Sequence, residues 1–159
     1  VKPNESTELE RAGGHGSTPS GLARCTGGEV VLVVEDESRV RQVTVARLVD
    51  LGYRVLEASS GSAALAMLGG HPEVAVVFSD VVLPGELSGL DLARRVQQTH
   101  PGVQVILTSG YSAEMMSGWC DGLELQVLLK PYRQSELARI FREVLQVPAA
   151  CDAPDKPTR

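Results

Sequence analysis

The stretch Val74–Pro84 (VAVVFSDVVLP) decides the architecture, because an apolar run ends abruptly in one carboxylate, Asp80, with a proline four residues later. A continuous Val/Phe run of this length reads as a strand buried on both faces, which is what a parallel sheet covered by helices requires. Asp80 then sits where the strand leaves the core. In open parallel α/β sheets, ligands bind in the crevice beyond the carboxyl ends of the strands, so a lone acid there is placed for chemistry.

Composition bounds what such a chain can be. The 159 residues allow one domain with tails, and 43% hydrophobic content is ordinary for a chain that buries a core. Because only 4% is aromatic, Val, Leu and Ala must fill that core. A net charge of -5 argues against a nucleic-acid surface, which needs a basic patch or stripe. Cys25, Cys120 and Cys151 have no metal-ligand spacing and are expected as unpaired thiols in a reducing, cytoplasmic setting. No apolar run approaches the ~20 residues that span a bilayer, so direct membrane insertion of this chain is not expected, although a parent protein could be tethered. No signal-peptide pattern opens the chain.

Residues 1–28 are rich in Gly, Ser, Thr, Pro and charge and are expected as a linker or tail, with His15 an incidental polar residue. Order is expected over 29–146. A second buried strand, Glu29–Val34, ends in Glu35, Asp36 and Glu37, with Ser38 as the expected N-cap of the helix that follows. That helix is expected from about Arg39 to Leu51, closed by Gly52. Its core face should hold Val40, Thr44, Leu48 and Leu51, with Val45 and Val49 expected on the opposite face as a possible partner-docking pair. An alternating edge strand near Tyr53–Ala58 leads to a small-residue helix closed by Gly69 and Gly70. His71 and His100 each precede a proline at a helix end and read as C-terminal or solvent-facing groups. Beyond Asp80, a helix near Leu90–Thr99, a strand ending in Ser109, a short helix capped by Ser112, a strand ending in Lys130 and a last helix near Gln134–Leu145 complete the pattern. Met115, Met116 and Trp119 of the short helix read as packing residues. Residues 147–159 are expected as a disordered tail. Repeated β-then-α units with right-handed crossovers make an α/β three-layer sandwich.

The strand ends share one chemical theme: Glu35 and Asp36, Asp80, Ser109 and Lys130. Carboxylates crowded into one crevice repel unless a cation joins them, and oxygen ligands suit Mg²⁺ better than a soft metal. A hydroxyl and an ammonium aimed at the same point can hold phosphoryl oxygens. An aspartate that accepts phosphate fits that set.

The runs VLVVEDE, SDVVLPG, TSGY and LLKPY, in this order and at these strand ends, resemble the receiver domain of bacterial two-component response regulators and hybrid sensor histidine kinases, over about residues 29–146. The resemblance implies a flavodoxin-like five-stranded parallel sheet of order 2-1-3-4-5 and a phosphoryl group delivered from phosphohistidine on a histidine kinase or histidine phosphotransfer domain. It implies that Asp80 is the phospho-acceptor and that Glu35, Asp36, Asp80 and the backbone carbonyl of Val82 hold Mg²⁺, with Mn²⁺ able to substitute. It further implies that Ser109 is the switch hydroxyl, that Lys130 stabilises the phosphoryl group, and that the Lys130-Pro131 peptide is cis. The opening residue Val1 and the long linker suggest the C-terminal receiver of a hybrid kinase, and a homodimer is possible.

The chain departs from the commonest receiver pattern in having Val127 where an aromatic often precedes the lysine, Ser109 in place of threonine, and a loop after Pro84 that reads one residue longer. Other readings fit less well. A haloacid-type phosphatase normally has a second acid where this chain has Val82, and a dinucleotide-binding domain would show G-x-G-x-x-G after its first strand. The alternative is a degenerate receiver acting as a phosphorylation-independent interaction module.

Overall fold

The structure, a computed structural model, describes residues 28–145 except 121 and 124. The expectations for the tails, and with them His15, Cys25 and Cys151, lie outside the described residues. The chain alternates β1 (Val30–Val34), α1 (Ser38–Asp50), β2 (Arg54–Ala58), α2 (Gly61–Gly70), β3 (Val74–Asp80), α3 (Gly89–Thr99), β4 (Gln104–Ser109), α4 (Ala113–Ser117), β5 (Gln126–Leu129) and α5 (Gln134–Leu145). All strand pairs are parallel and the sheet order is β2-β1-β3-β4-β5. The expected flavodoxin-like order is the observed one.

Side chains of a strand alternate between faces, so one buried sheet feeds two cores. Leu32, Val34, Val77 and Leu107 pack on one side with Leu68 of α2, Leu92 and Val96 of α3, and Met116 of α4. Val31, Val33, Val76, Phe78 and Ile106 pack on the other with Leu48 of α1 and Leu137 and Phe141 of α5. Fully burying each such side chain contributes about 1.5–3 kcal/mol. The Val-rich β1 and β3 occupy the interior of the sheet, and the more polar β2 and β5 take its edges.

Two expectations for α1 need correction. Ser38 is not its cap: the helix begins at Ser38, Glu37 stands at the N-cap without a side-chain bond, and the Glu37 amide donates instead to Glu35 Oε1 at 3.2 Å. Val45 does not lie on the opposite face. At about 100° per residue it stands only about 60° from Leu48, and it is half-buried against the α1–α5 side of the core, whereas Val49 is 54% exposed. The helix ends as expected: Gly52 (φ 99°) donates to the Val49 carbonyl and Tyr53 to the Leu48 carbonyl, a Schellman closure that only a glycine adopts without strain.

The short α4 stops at Ser117 rather than continuing to Trp119, with Gly118 at its C-cap. Of its expected packing residues, Met116 is buried, while Met115 and Trp119 are exposed. The Trp119 ring makes an edge contact with Tyr111, centroids 5.6 Å apart.

Candidate functional site

Four strand ends on one edge of the sheet bring the polar residues together. Parallel register sets Asp80 of β3 opposite Thr108 of β4, one residue before Ser109, and the Lys130 amide donates to the Ser109 carbonyl at 2.7 Å. Lys130 follows β5 directly, and the Lys130-Pro131 peptide is cis, as the resemblance implied. The ammonium reaches across β4 to Asp80 Oδ2 at 2.7 Å and lies 3.6 Å from Glu35 Oε2. Asp80 Oδ1 accepts the Val82 amide at 3.0 Å, so each carboxylate oxygen of Asp80 has a donor.

The backbone of Asp80 is held as firmly as its side chain. Val81 donates to the Thr108 carbonyl, Gly89 donates to the Val81 carbonyl at 2.9 Å, and the Ser79 hydroxyl donates to the Asp80 carbonyl at 2.9 Å. Helix α3 docks here through Gly89, where a Cβ would collide with the Asp80 carbonyl oxygen and approach Val81 Cα to 2.8 Å. Its start is set by a capping box in which Ser88 and Asp91 bond each other's backbone amides.

The electrostatics follow from three acids facing one lysine. Burial is the largest influence on Glu35, with Asp80 and Asp36 adding to it; the Glu37 amide and Lys130 oppose them without cancelling, and the carboxyl is pushed above the ordinary glutamate range. Burial works against the Lys130 charge, but the hydrogen bond and charge of Asp80, followed by Glu35, outweigh it and hold the ammonium above the ordinary lysine range. With these acids ionised, Glu35, Asp36 and Asp80 carry three negative charges against the single positive charge of Lys130.

The sequence-predicted residues divide accordingly. Glu35, Asp80 and Lys130 meet in direct contact. Asp36 is exposed beside Glu35, and Val82 touches Asp80 through its amide. Ser109 is buried at the adjoining strand end with its hydroxyl accepting the Tyr111 amide at 2.9 Å, turned into the β4–α4 turn. Among the described residues no three His, Cys, Asp or Glu side chains converge as a ready metal cage. The donor chemistry nonetheless fits a hard divalent cation: all-oxygen carboxylates with a surplus of two negative charges, one carboxylate, that of Glu35, being pushed up chiefly by burial.

Sequence reasoning missed Arg41, whose Nη1 donates to the Glu35 carbonyl at 2.7 Å. Helical side chains lean toward the N-terminus, so a cation in the second turn of α1 could have been placed over the β1 exit. Tyr132 was quoted only as part of a motif. Its carbonyl accepts Arg47 Nη1 at 3.3 Å and its hydroxyl lies 3.5 Å from Thr44 Oγ1, tying the cis-proline loop to α1.

A doubly wound parallel sheet with acids at the exits of β1 and β3 and a lysine reaching over from β5 defines the class of two-component signalling domains. The family model described as response regulator receiver domain matches residues 31–142. The chain belongs to that family. Sensor kinase CckA from Brucella abortus (strain 2308) is 39% identical over 125 residues, which is 76% of this chain but only 13% of that kinase. Among solved structures, the receiver domain of hybrid histidine kinase CckA superposes with a TM-score of 0.61 at 30% identity, covering 74% of this chain and 99% of that one. Response regulator TrrA from Thermotoga maritima, solved in complex with Mg²⁺ and BeF, gives a TM-score of 0.64 at 25% identity, covering 73% of this chain and 98% of that one.

Proposed function

We propose that Asp80 accepts a phosphoryl group from a phosphohistidine on a histidine kinase or histidine phosphotransfer domain. A carboxylate oxygen of Asp80 forms the new bond to phosphorus as the phosphorus–nitrogen bond breaks and the imidazole leaves. Glu35, Asp36, Asp80 and the Val82 carbonyl hold Mg²⁺, or Mn²⁺ in its place. When bound, the cation neutralises the phosphoryl oxygens. Lys130 keeps its charge at neutral pH and moves from pairing Asp80 to pairing the phosphoryl group. The observation that carries the reading is the Asp80–Lys130 contact of 2.7 Å with Glu35 alongside at 3.6 Å. TrrA, a structural neighbour solved with Mg²⁺ and BeF, supports it by likeness.

Phosphorylation is read out through Ser109. Once its hydroxyl leaves the Tyr111 amide for the phosphoryl group, the β4–α4 turn follows, and with it the Tyr111–Trp119 pair and the surface around α4. Moving that equilibrium from mostly off to mostly on needs about 5.5 kcal/mol of differential stabilisation. The donor docks along α1, where Val49 and Val43 are exposed. The likeness to CckA supports placement of this domain within a hybrid histidine kinase. Among the described residues, no helix is long and apolar enough to cross a membrane.

Intact mass after incubation with acetyl phosphate or phosphoramidate tests the core of this reading. One phosphoryl group gained only with Mg²⁺, and lost in Asp80→Asn, is the expected result. No gain by a folded chain would refute it and leave the phosphorylation-independent interaction module.

A further inference from the structure

Helix α1 begins without a side-chain cap and without an acid in its first turn. The turn that carries Glu35 and Asp36 is held from elsewhere. Arg41 Nη1 donates to the Glu35 carbonyl at 2.7 Å and makes a longer contact to the Asp36 carbonyl at 3.5 Å, while its Nε donates to Glu57 Oε2 at 3.1 Å. Its side chain is only 18% exposed. On the other side of the same residue, in the preceding peptide unit, the Glu35 amide donates to the Ala58 carbonyl at 3.1 Å. Both polar backbone groups of Glu35 are therefore fixed by neighbours, one by the end of β2 and one by a guanidinium that β2 itself orients through Glu57.

We propose that Arg41 is a positioning residue for the acidic pair, and that Glu57 of the edge strand β2 sets the angle of its guanidinium. The proposal rests on the reading of Glu35 and Asp36 as the acids that hold Mg²⁺. A guanidinium presents its donors in a rigid planar fork, so one face can take a carboxylate while another spans a carbonyl pair. Freed from that fork, the turn can rotate its peptide planes and swing both carboxylates away from Asp80. Outer-shell partners of this kind change metal affinity by about 10–100-fold when lost.

Charge and geometry predict opposite signs here, which makes the proposal testable. Removing a positive charge beside a divalent-cation site favours the cation, whereas losing the hold on the turn disfavours it. Arg41→Lys keeps the charge and loses the fork, so it reports geometry alone. The experiment measures the Mg²⁺ dependence of phosphorylation by acetyl phosphate together with direct Mg²⁺ titration by calorimetry, on the parent chain, Arg41→Lys, Arg41→Ala and Glu57→Gln.

In Arg41→Lys the half-saturating Mg²⁺ concentration and the calorimetric Kd should rise by about tenfold, in Arg41→Ala by less because the lost charge offsets part of the rise, and in Glu57→Gln by a few-fold, with the rate at saturating Mg²⁺ changed less than about twofold. Equal or tighter Mg²⁺ binding in Arg41→Lys would overturn the proposal. So would a loss confined to melting temperature with an unshifted Mg²⁺ dependence, which marks a merely structural residue. A parent chain that binds no Mg²⁺ would overturn the metal reading itself and the clamp with it, an outcome visible before any variant is compared.

Discussion

Replacing Gly89 with alanine should damage both stability and phosphotransfer, and the structure sets the size of the effect. The added Cβ would meet the Asp80 carbonyl oxygen, with Val81 Cα at 2.8 Å and the Asp80 carbonyl carbon at 2.9 Å. All three are backbone atoms of the phospho-acceptor segment, so no rotamer change relieves the clash. Helix α3 must retreat, which breaks the Gly89–Val81 hydrogen bond of 2.9 Å and loosens the packing of Leu92 and Val96. Overpacking costs about 1–3 kcal/mol and the lost hydrogen bond about 1 kcal/mol. The alanine helix preference returns less than about 1 kcal/mol at this first helical position. The net is about 2–3 kcal/mol, or a melting temperature lower by about 6–15 °C for a domain of this size. Gly69→Ala is the matched control: nothing lies within 4 Å of its Cβ, and it should melt at or slightly above the parent. Because the displaced atoms belong to Asp80 and Val81, phosphorylation by acetyl phosphate should also slow by tenfold or more, on the order expected for misplacing a reacting group. A Gly89→Ala chain that melts within about 2 °C of the parent and phosphorylates at the parental rate would refute the close approach of α3 to the acceptor strand.

Other substitutions separate the roles of the remaining residues. Lys130→Ala should lower the phosphotransfer rate by about 10²-fold, the usual cost of losing one stabilising donor, while tightening Mg²⁺ binding, because the acids then lose the ammonium that offsets them; calorimetry showing weaker binding would contradict the charge argument. Glu35 is raised in the fold, so its stability contribution is full below the ordinary glutamate range and is lost as pH rises through the folded value. Glu35→Gln should therefore melt no lower than the parent at neutral pH, yet lose Mg²⁺ affinity, and the parent's affinity should begin to fail at a higher pH on acidification than an ordinary glutamate would allow. Val49→Glu should slow transfer from a donor kinase at unchanged melting temperature, whereas Val45→Glu should lower the melting temperature because that side chain packs on the core; equal transfer rates for the parent and Val49→Glu would remove α1 as a docking face.

Much of the fold was legible because burial on both faces leaves a long apolar run with polar residues gathered at its ends. The Val-rich β1 and β3 announce themselves, and their exits locate Glu35, Asp36 and Asp80 without any knowledge of packing. Helix boundaries were less legible where a nearby side chain competes for the same amide. Ser38 has the chemistry of a cap, but the Glu37 carbonyl already accepts the Arg41 amide, so the helix starts on the serine itself. Val45 was misplaced because a face was assigned by spacing from Val49 rather than by angle from Leu48.

The acids and lysine were legible as a set, but what holds them was not. A carboxylate at a strand exit is visible in one dimension, whereas Arg41 acts by reaching back from α1 to a carbonyl six residues earlier and across to Glu57. Its partners are backbone oxygen and an edge-strand acid, neither of which marks a sequence as functional. The same holds for Gly89, which reads as an ordinary loop glycine until the Asp80 carbonyl is found where its Cβ would be. Chemistry at this site is thus written in ionisable residues at strand ends, and its geometry in residues that touch backbone. Substitutions of the first kind should cut phosphorylation by removing the nucleophile, a charge or a metal-binding oxygen. Those of the second kind should act through stability, metal affinity or placement while every ionisable group stays in the chain, and that difference in phenotype is how the two classes can be told apart.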